Sequence, residues 1–165
     1  MYSLTVVIDK ISELTGKISS WFVLLMVLIT CLVVIMRYVL GLGSIFLQDI
    51  VLYLHASLFL LGASFAFKRD SHVRVDIFYR NLSNKKKSVI NLVGNLALLQ
   101  PLCLVIFLYS WGFVEFSWQI MESSPEPDGL PFVYLQKTLL LLMSFFLWIQ
   151  SISEILKSLI LLRDD

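Results

Sequence analysis

Long apolar runs separated by short polar intervals dominate the chain. The first run, residues 18–36, carries no formal charge and is close to the roughly 20 residues that a helix needs to cross about 30 Å of hydrocarbon. Similar charge-free runs cover residues 50–67 and 89–114, and a fourth, residues 138–153, lies at the centre of a longer apolar segment. The pattern predicts an all-α membrane protein with four transmembrane helices.

Charges, glycines and prolines place the bounds of the predicted elements within a single membrane domain. The predicted order is an amphipathic helix over about residues 3–16, spans over 18–38, 48–67, 89–114 and 131–153, polar loops over 68–88 and 115–130, and an amphipathic extension of the fourth span to residue 162. Pro101 lies within the third span, where its missing N–H predicts a kink or a carbonyl that another group must satisfy.

The segment before the first span separates apolar from polar side chains at helical spacing. Its apolar positions are Leu4, Val7, Ile8, Ile11, Leu14 and Ile18, and its polar positions are Asp9, Lys10, Ser12, Glu13 and Lys17. This separation is typical of a helix that lies in the headgroup layer, and we predict a short interfacial helix. The alternative is a frayed terminus with chance periodicity.

Composition excludes a water-soluble globular domain. Hydrophobic residues make up 58% of the chain, charged residues make up 15%, and the mean hydropathy is +0.85. A core of 165 residues could not hide that much apolar surface from water. Cys31 and Cys103 both lie in apolar runs, so neither a disulfide scaffold nor a zinc site is expected.

Basic residues near the span ends predict the orientation. Eleven Lys and Arg residues lie on the side that holds both termini and the loop 68–88, against two, Arg37 and Lys137, on the other side. The positive-inside rule therefore predicts that both termini are cytoplasmic. The opposite loop, residues 115–130, contains four acids and no Lys or Arg; the acids are Glu115, Glu122, Glu126 and Asp128. They are candidate residues for docking a protein outside the membrane. The alternative is a solvated loop whose prolines stiffen the entry to the fourth span.

The spans lack the residues that intramembrane chemistry requires. They contain no nucleophile with a base and no metal cluster, so an enzyme is not expected. His55 is the one intramembrane histidine, which argues against a haem anchor. No carboxylate lies at the middle of a span and no pair of broken helices is visible, which argues against a proton-driven exporter and a self-contained transporter.

The second span carries a candidate contact stripe. His55, Gly62 and Ala66 share one helical face, and small residues four apart let two helices approach closely. The sequence leaves two alternatives open for this stripe, packing within the four-helix unit and contact with another subunit.

The charged residues at the ends of the spans also have two interpretations. Arg37 and Lys137 either reach lipid headgroups, or pair with Asp49 and with an acid of residues 115–128, respectively. A basic cluster in the loop 68–88 is predicted to contact anionic lipid rather than nucleic acid; its members are Arg74, Arg80, Lys85, Lys86 and Lys87.

Together, several short motifs and the order of the four spans resemble the small permease subunit of tripartite ATP-independent periplasmic (TRAP) transporters, the DctQ type. The motifs are Arg37-Tyr38, Gln48-Asp49, Phe59-Leu60-Leu61-Gly62-Ala63 and His72-Val73-Arg74-Val75-Asp76. Residues 109–111 and 122–131 resemble the branch associated with mannitol, chloroaromatic acids and 2-oxo acids.

The resemblance implies a scaffold role in the bacterial inner membrane. Its implied partners are a large permease subunit, which would hold the substrate and sodium sites, and a periplasmic binding protein. The chain itself would hold no cofactor. A second hypothesis is a generic four-span assembly or anchor subunit of an unrelated bacterial membrane complex. The sequence does not identify the transported anion, because the residues that bind it would lie on other chains.

Overall fold

The computed structural model describes residues 2–69 and 82–164, and all regular structure within them is helical. The elements are α1 (Tyr2–Val39), α2 (Ile45–Lys68), α3 (Asn84–Gly94), a π-helical turn (Asn95–Leu99), α4 (Gln100–Gln119) and α5 (Val133–Asp164). With α3, the π turn and α4 taken as one span, four helices are long and apolar enough to cross a membrane. The predicted fold class is thereby confirmed.

The predicted interfacial helix is not a separate element. Helix α1 runs for 38 residues, and the segment 3–16 is continuous with the first span. Its polar side is only partly exposed, because Asp9 and Ser12 hydrogen-bond to side chains of α5, whereas Lys10 and Lys17 are exposed. Its apolar side, which includes Leu4 and Leu14, is exposed instead. Contacts with other helices hold this segment in line with the rest of α1.

Helix α1 ends and α2 begins at a short turn. Gly41 adopts a φ of 68°, a left-handed conformation that costs glycine little, and the N–H of Leu42 closes the turn on the carbonyl of Met36 at 2.9 Å. The hydroxyl of Ser44 then accepts a hydrogen bond from the N–H of Leu47 at the start of α2.

A wider helical turn precedes the proline of the third span. The N–H of Gln100 donates to the carbonyl of Asn95, five residues back, which is the hydrogen bond of a π-helix. Pro101 follows at the beginning of α4, where it has no N–H to donate and its ring crowds the preceding turn. The π turn therefore accommodates the proline and keeps the span helical throughout.

Helix α5 is central to the fold, since it contacts α1, α2, α3 and α4, while α1 packs mainly on α2. The fully buried side chains are mostly small or polar, and on α5 they include Ser144, Gln150, Ser151 and Ser153. Many large apolar side chains, such as Leu28 and Leu108, are exposed. Small residues between the helices and apolar residues outside are the arrangement expected of a chain solvated by lipid.

Candidate interaction surfaces

A cluster of polar side chains joins α1 to α5 where the two termini meet. We call this the terminal cluster; its members are Asp9, Gln150, Ser153, Glu154 and Lys157. The amide nitrogen of Gln150 and the hydroxyl of Ser153 each donate to Asp9 Oδ1 at 3.0 Å. The ammonium of Lys157 lies 2.8 Å from Asp9 Oδ2 and 2.7 Å from Glu154 Oε1. One carboxylate of α1 is thus held by three side chains of α5.

Gln150 is the buried centre of the terminal cluster. Its side chain is fully buried, and its oxygen accepts a hydrogen bond of 2.6 Å from the hydroxyl of Ser12. Its amide nitrogen donates to Asp9 and, at 3.2 Å, to Glu154. Because both ends of this amide are bonded, a slide of α1 along α5 would leave buried polar atoms without partners. The terminal cluster therefore fixes the register of the two helices.

Helix α2 joins the same end of the molecule through Lys68. Its ammonium donates to the backbone carbonyl of Asp9 at 3.0 Å and forms an ion pair with Glu13, also at 3.0 Å. Arg69 lies 3.8 Å from the same carboxylate oxygen of Glu13. Three helices are therefore tied together at the end that holds the termini.

The terminal cluster was not anticipated from the sequence, which placed Asp9 and Glu13 on a solvated face. The available signal was a polar stripe on α5, where Gln150, Ser153 and Lys157 recur three and four residues apart at the end of an apolar span. A carboxylate on another helix is the natural partner of such a stripe. The residues that the structure describes contain no group of histidine, cysteine or acidic side chains able to hold a metal ion.

At the opposite end of the molecule, Asp49 anchors the loop between α4 and α5. Its Oδ2 accepts a hydrogen bond of 2.8 Å from the backbone N–H of Leu130. The structure does not pair Asp49 with Arg37, since Arg37 is exposed and forms no ion pair within residues 2–69 and 82–164. Contact of Arg37 with lipid headgroups stays a prediction. A Cβ on Gly129 would lie 2.7 Å from Asp49 Oδ2, so a larger residue there would crowd the contact.

Lys137 adopts the paired arrangement that the sequence left open. Its ammonium forms an ion pair with Glu122 and lies 3.9 Å from the centroid of the Phe113 ring. The hydrogen bond from Lys137 lowers the pKa of the Glu122 carboxyl below its ordinary value. Nearby, the indole N–H of Trp118 donates to the hydroxyl of Thr138 at 2.9 Å, which links α4 to α5 beside the loop.

The four acids predicted to dock a protein are not equivalent. Glu122 is bound to Lys137, whereas Glu115, Glu126 and Asp128 are exposed. The loop that carries the last two is held by backbone hydrogen bonds, from Ser124 N to Leu130 O and from Val133 N to Glu122 O, both 3.1 Å. The exposed charges of Glu126 and Asp128 therefore lie on a folded loop, while Glu115 lies in the last turns of α4.

The stripe predicted on α2 faces away from the other helices. His55 and Phe59 are exposed, and their ring centroids lie 4.7 Å apart. A Cβ added to Gly62 would meet no atom within 4 Å, and Ala66 is half-buried. Among the described residues, Gly62 therefore does not serve close packing of two helices, and contact of the stripe with another subunit stays a prediction.

Close approach within the unit occurs instead at Gly16, which was not predicted. A Cβ on Gly16 would lie 2.3 Å from Cγ of Phe65, so only glycine lets α1 and α2 come this near at that level. Gly16 lies four residues from Ser12 and three from Ser19, and all three are buried. This small-residue spacing on α1 is the signal that would have located the contact.

The structure describes only part of the predicted lipid-binding cluster. Lys85 and Lys86 are exposed at the start of α3, and Lys87 is half-buried. Arg74 and Arg80 lie outside the described residues. Contact with anionic lipid stays a prediction.

Comparison with known proteins identifies a related family. Residues 26–160 match the family model described as tripartite ATP-independent periplasmic transporters, DctQ component. The chain is also similar to a curated protein of Vibrio cholerae serotype O1 (strain ATCC 39315 / El Tor Inaba N16961), named C4-dicarboxylate TRAP transporter small permease protein DctQ. The two are 27% identical over 134 residues, which cover 76% of this chain and 57% of the relative. The chain thus spans less than two thirds of that relative's length. No solved structure gives a significant match.

Proposed function

Because the chain belongs to the DctQ component family of the tripartite ATP-independent periplasmic transporters, we propose that it acts as the fixed membrane scaffold of such a transporter. It would support a large permease subunit that moves the substrate. The observation that carries this role is the terminal cluster, in which buried polar side chains of α1 and α5 bond to one another. Such a network suits a unit that holds its shape while a partner moves.

The proposed transport reaction is sodium-coupled uptake of an organic acid anion. The relative from Vibrio cholerae is named for C4-dicarboxylates, and the loop motif of residues 122–131 resembles the branch associated with 2-oxo acids. A carboxylate is therefore the proposed substrate class, and the resemblance of the loop motif narrows the proposal to a 2-oxo acid or a related monocarboxylate. The substrate and sodium sites would lie on the large subunit.

Vesicles of defined composition test this function. We expect sodium-driven uptake when this chain, the large subunit and the binding protein are all present, and background uptake when any one is omitted. Monocarboxylates, 2-oxo acids and C4-dicarboxylates should be compared with and without a sodium gradient. Uptake that does not depend on this chain would contradict the scaffold role, and saturable uptake by this chain alone would contradict the assignment of the substrate site to the partner.

The proposed location is the bacterial inner membrane, with both termini in the cytoplasm. The asymmetry of Lys and Arg between the two ends of the spans supports this orientation. The basic residues near the start of α3, among them Lys85 and Lys86, would then lie beside the anionic headgroups of the cytoplasmic leaflet.

The proposed role of the loop between α4 and α5 is to help dock the periplasmic binding protein. The supporting observation is that Glu115, Glu126 and Asp128 are exposed, while Glu122 is bound to Lys137. Exposed charges steer an approaching partner and change the association rate more than the final affinity. Their effect should weaken with salt, since the Debye length falls from about 10 Å at 0.1 M to about 3 Å at 1 M.

Charge reversal tests the docking role. Glu115→Lys with Glu126→Lys should slow uptake at low salt and limiting binding-protein concentration, with both membrane subunits still assembled. Asp128 is better changed to Asn, because its φ of 62° disfavours most other residues. Glu122 should be left intact, since its reversal would break the ion pair with Lys137. Unchanged uptake rates at low salt would assign the loop a purely structural role.

A further inference from the structure

One stripe of α2 is exposed from near the beginning of the helix to beyond its middle. Its members, Gln48, Leu52, His55 and Phe59, recur four, three and four residues apart, and Gly62 continues the spacing. We call these five residues the α2 stripe. The other sides of α2 pack on α1 and α5. The α2 stripe is therefore one continuous surface that the described residues leave uncovered.

The exposed surfaces of the other spans have a different character. Residues exposed on α1 and α4 at the level of the membrane are mostly apolar, such as Leu24, Leu28, Leu102 and Leu108. The exposed hydroxyl of Thr30 donates to the backbone carbonyl of Met26 at 2.7 Å, so its hydrogen is not left for lipid. Surfaces of this kind are suited to contact with hydrocarbon chains.

His55 does not suit contact with lipid. It lies ten residues after Ile45, so at about 1.5 Å per residue it is about 15 Å along α2, near the middle of the span. A polar group without a partner is costly in hydrocarbon, and polar side chains in spans face protein or a water-filled cavity. Within residues 2–69 and 82–164, the contact shown for the His55 ring is with Phe59. The described residues thus provide no hydrogen-bond partner for its nitrogens, and a polar group of another molecule could provide one.

We propose that the α2 stripe packs against a transmembrane helix of the large permease subunit, and that this helix presents a hydrogen-bonding side chain to His55. The inference rests on the proposed scaffold function and adds the surface on which the partner sits. Gly62 lets the partner's backbone approach closely, since the Cβ that another residue would add there meets no atom of a neighbouring described helix within 4 Å. Phe59 supplies apolar contact area beside the imidazole.

Three glycine substitutions distinguish this interface from the fold itself. Gly62→Leu should leave the thermal stability of the isolated chain unchanged and lower the amount of co-purified large subunit about tenfold, equivalent to about 1.4 kcal/mol. Gly112→Leu is the matched control, because Gly112 lies on the exposed side of α4 and a Cβ there also meets no atom within 4 Å; it should change neither quantity. Gly16→Leu should destabilise the isolated chain, because Phe65 fills the space.

A photo-crosslinking residue identifies the molecule that covers the stripe. Placed at Leu52, it should form an adduct with the large subunit, whereas at Leu108 on α4 it should not. His55→Leu should also lower the amount of large subunit captured, and His55→Gln should retain more of it, since an amide can still form hydrogen bonds.

The outcomes separate the two proposals. If the wild-type chain captures no large subunit, the scaffold function itself fails. If the wild-type and Gly62→Leu chains capture it equally, or if the probe at Leu52 forms an adduct only with lipid or with a second copy of this chain, the assignment of the α2 stripe is overturned while the scaffold function stands.

Discussion

Asp9 and Lys157, which lie 148 positions apart in the sequence, form an ion pair of 2.8 Å that joins the beginning of α1 to the end of α5. The pair is only partly exposed, and the Asp9 carboxylate also accepts hydrogen bonds from Gln150 and Ser153. Removing Asp9 would leave the Ser153 hydroxyl without its acceptor, and the donors of Gln150 and Lys157 would be bonded to Glu154 alone. This loss costs more than the pair contributes by its charge alone.

Asp9→Ala should therefore lower the free energy of unfolding by about 1–3 kcal/mol, because the donors of Gln150, Ser153 and Lys157 each lose one acceptor. Thermal unfolding of the purified chain in detergent measures the effect. Lys10→Ala is the control, since Lys10 directly follows Asp9 in the sequence and its side chain is exposed. Equal stability of the two variants would show that the terminal cluster does not hold α1 on α5.

Gly16→Ala should destabilise the chain by about 1–3 kcal/mol, the usual cost of overpacking. The added methyl group would lie 2.3 Å from Cγ of Phe65, so α1 and α2 must move apart. The same substitution at Gly112 meets open space and should be close to neutral. In a Phe65→Ala background, Gly16→Ala should cost less; a cost that does not change would place the strain elsewhere.

Asp49→Ala should increase hydrogen exchange at the Leu130 amide, because that N–H loses its acceptor. Mass spectrometry of deuterium uptake in detergent measures it. Asp49→Asn should preserve much of the protection, since the amide oxygen can still accept the hydrogen bond. Glu126→Gln, at an exposed position of the same loop, should leave the exchange unchanged. Protection that survives Asp49→Ala would mean that the backbone hydrogen bonds of the loop suffice.

The ion pair between Glu122 and Lys137 should make the loop sensitive to acid. Because the pKa of Glu122 is lowered in the folded chain, its stabilising effect is complete above the ordinary glutamate pKa of about 4.3 and is lost as the pH falls through the folded value. Acidification from neutral pH should thus lower the unfolding midpoint more in the wild type than in Glu122→Gln. Identical acid sensitivity in the two proteins would contradict the stabilising role of the pair.

The proposed orientation predicts that a cysteine at Ser83 is reached only from the cytoplasm. In a background with Cys31→Ala and Cys103→Ala, Ser83→Cys should not react with a membrane-impermeant thiol reagent added outside intact cells. Ser123→Cys, exposed on the loop between α4 and α5, should react under the same conditions. The reverse pattern would invert the topology.

The sequence by itself determined that the chain is helical and has four helices long enough to span a membrane. Burial of a backbone in hydrocarbon requires its N–H and C=O groups to bond within the segment, so a sufficiently long apolar run predicts a helix without reference to the rest of the chain. The sequence could also predict that Lys137 pairs with a nearby acid, because Glu122 lies only 15 positions away.

Only the tertiary structure decided which distant residues meet. A charged face on α1 has the same sequence pattern whether its side chains bond to water or to residues of α5. The packing of α1 on α5 decides between the two by bringing Gln150 and Lys157 to Asp9. Helical spacing likewise does not show whether a glycine meets another helix. Gly62 faces open space and Gly16 faces Phe65, because the positions of the neighbouring helices determine which face of each span is covered.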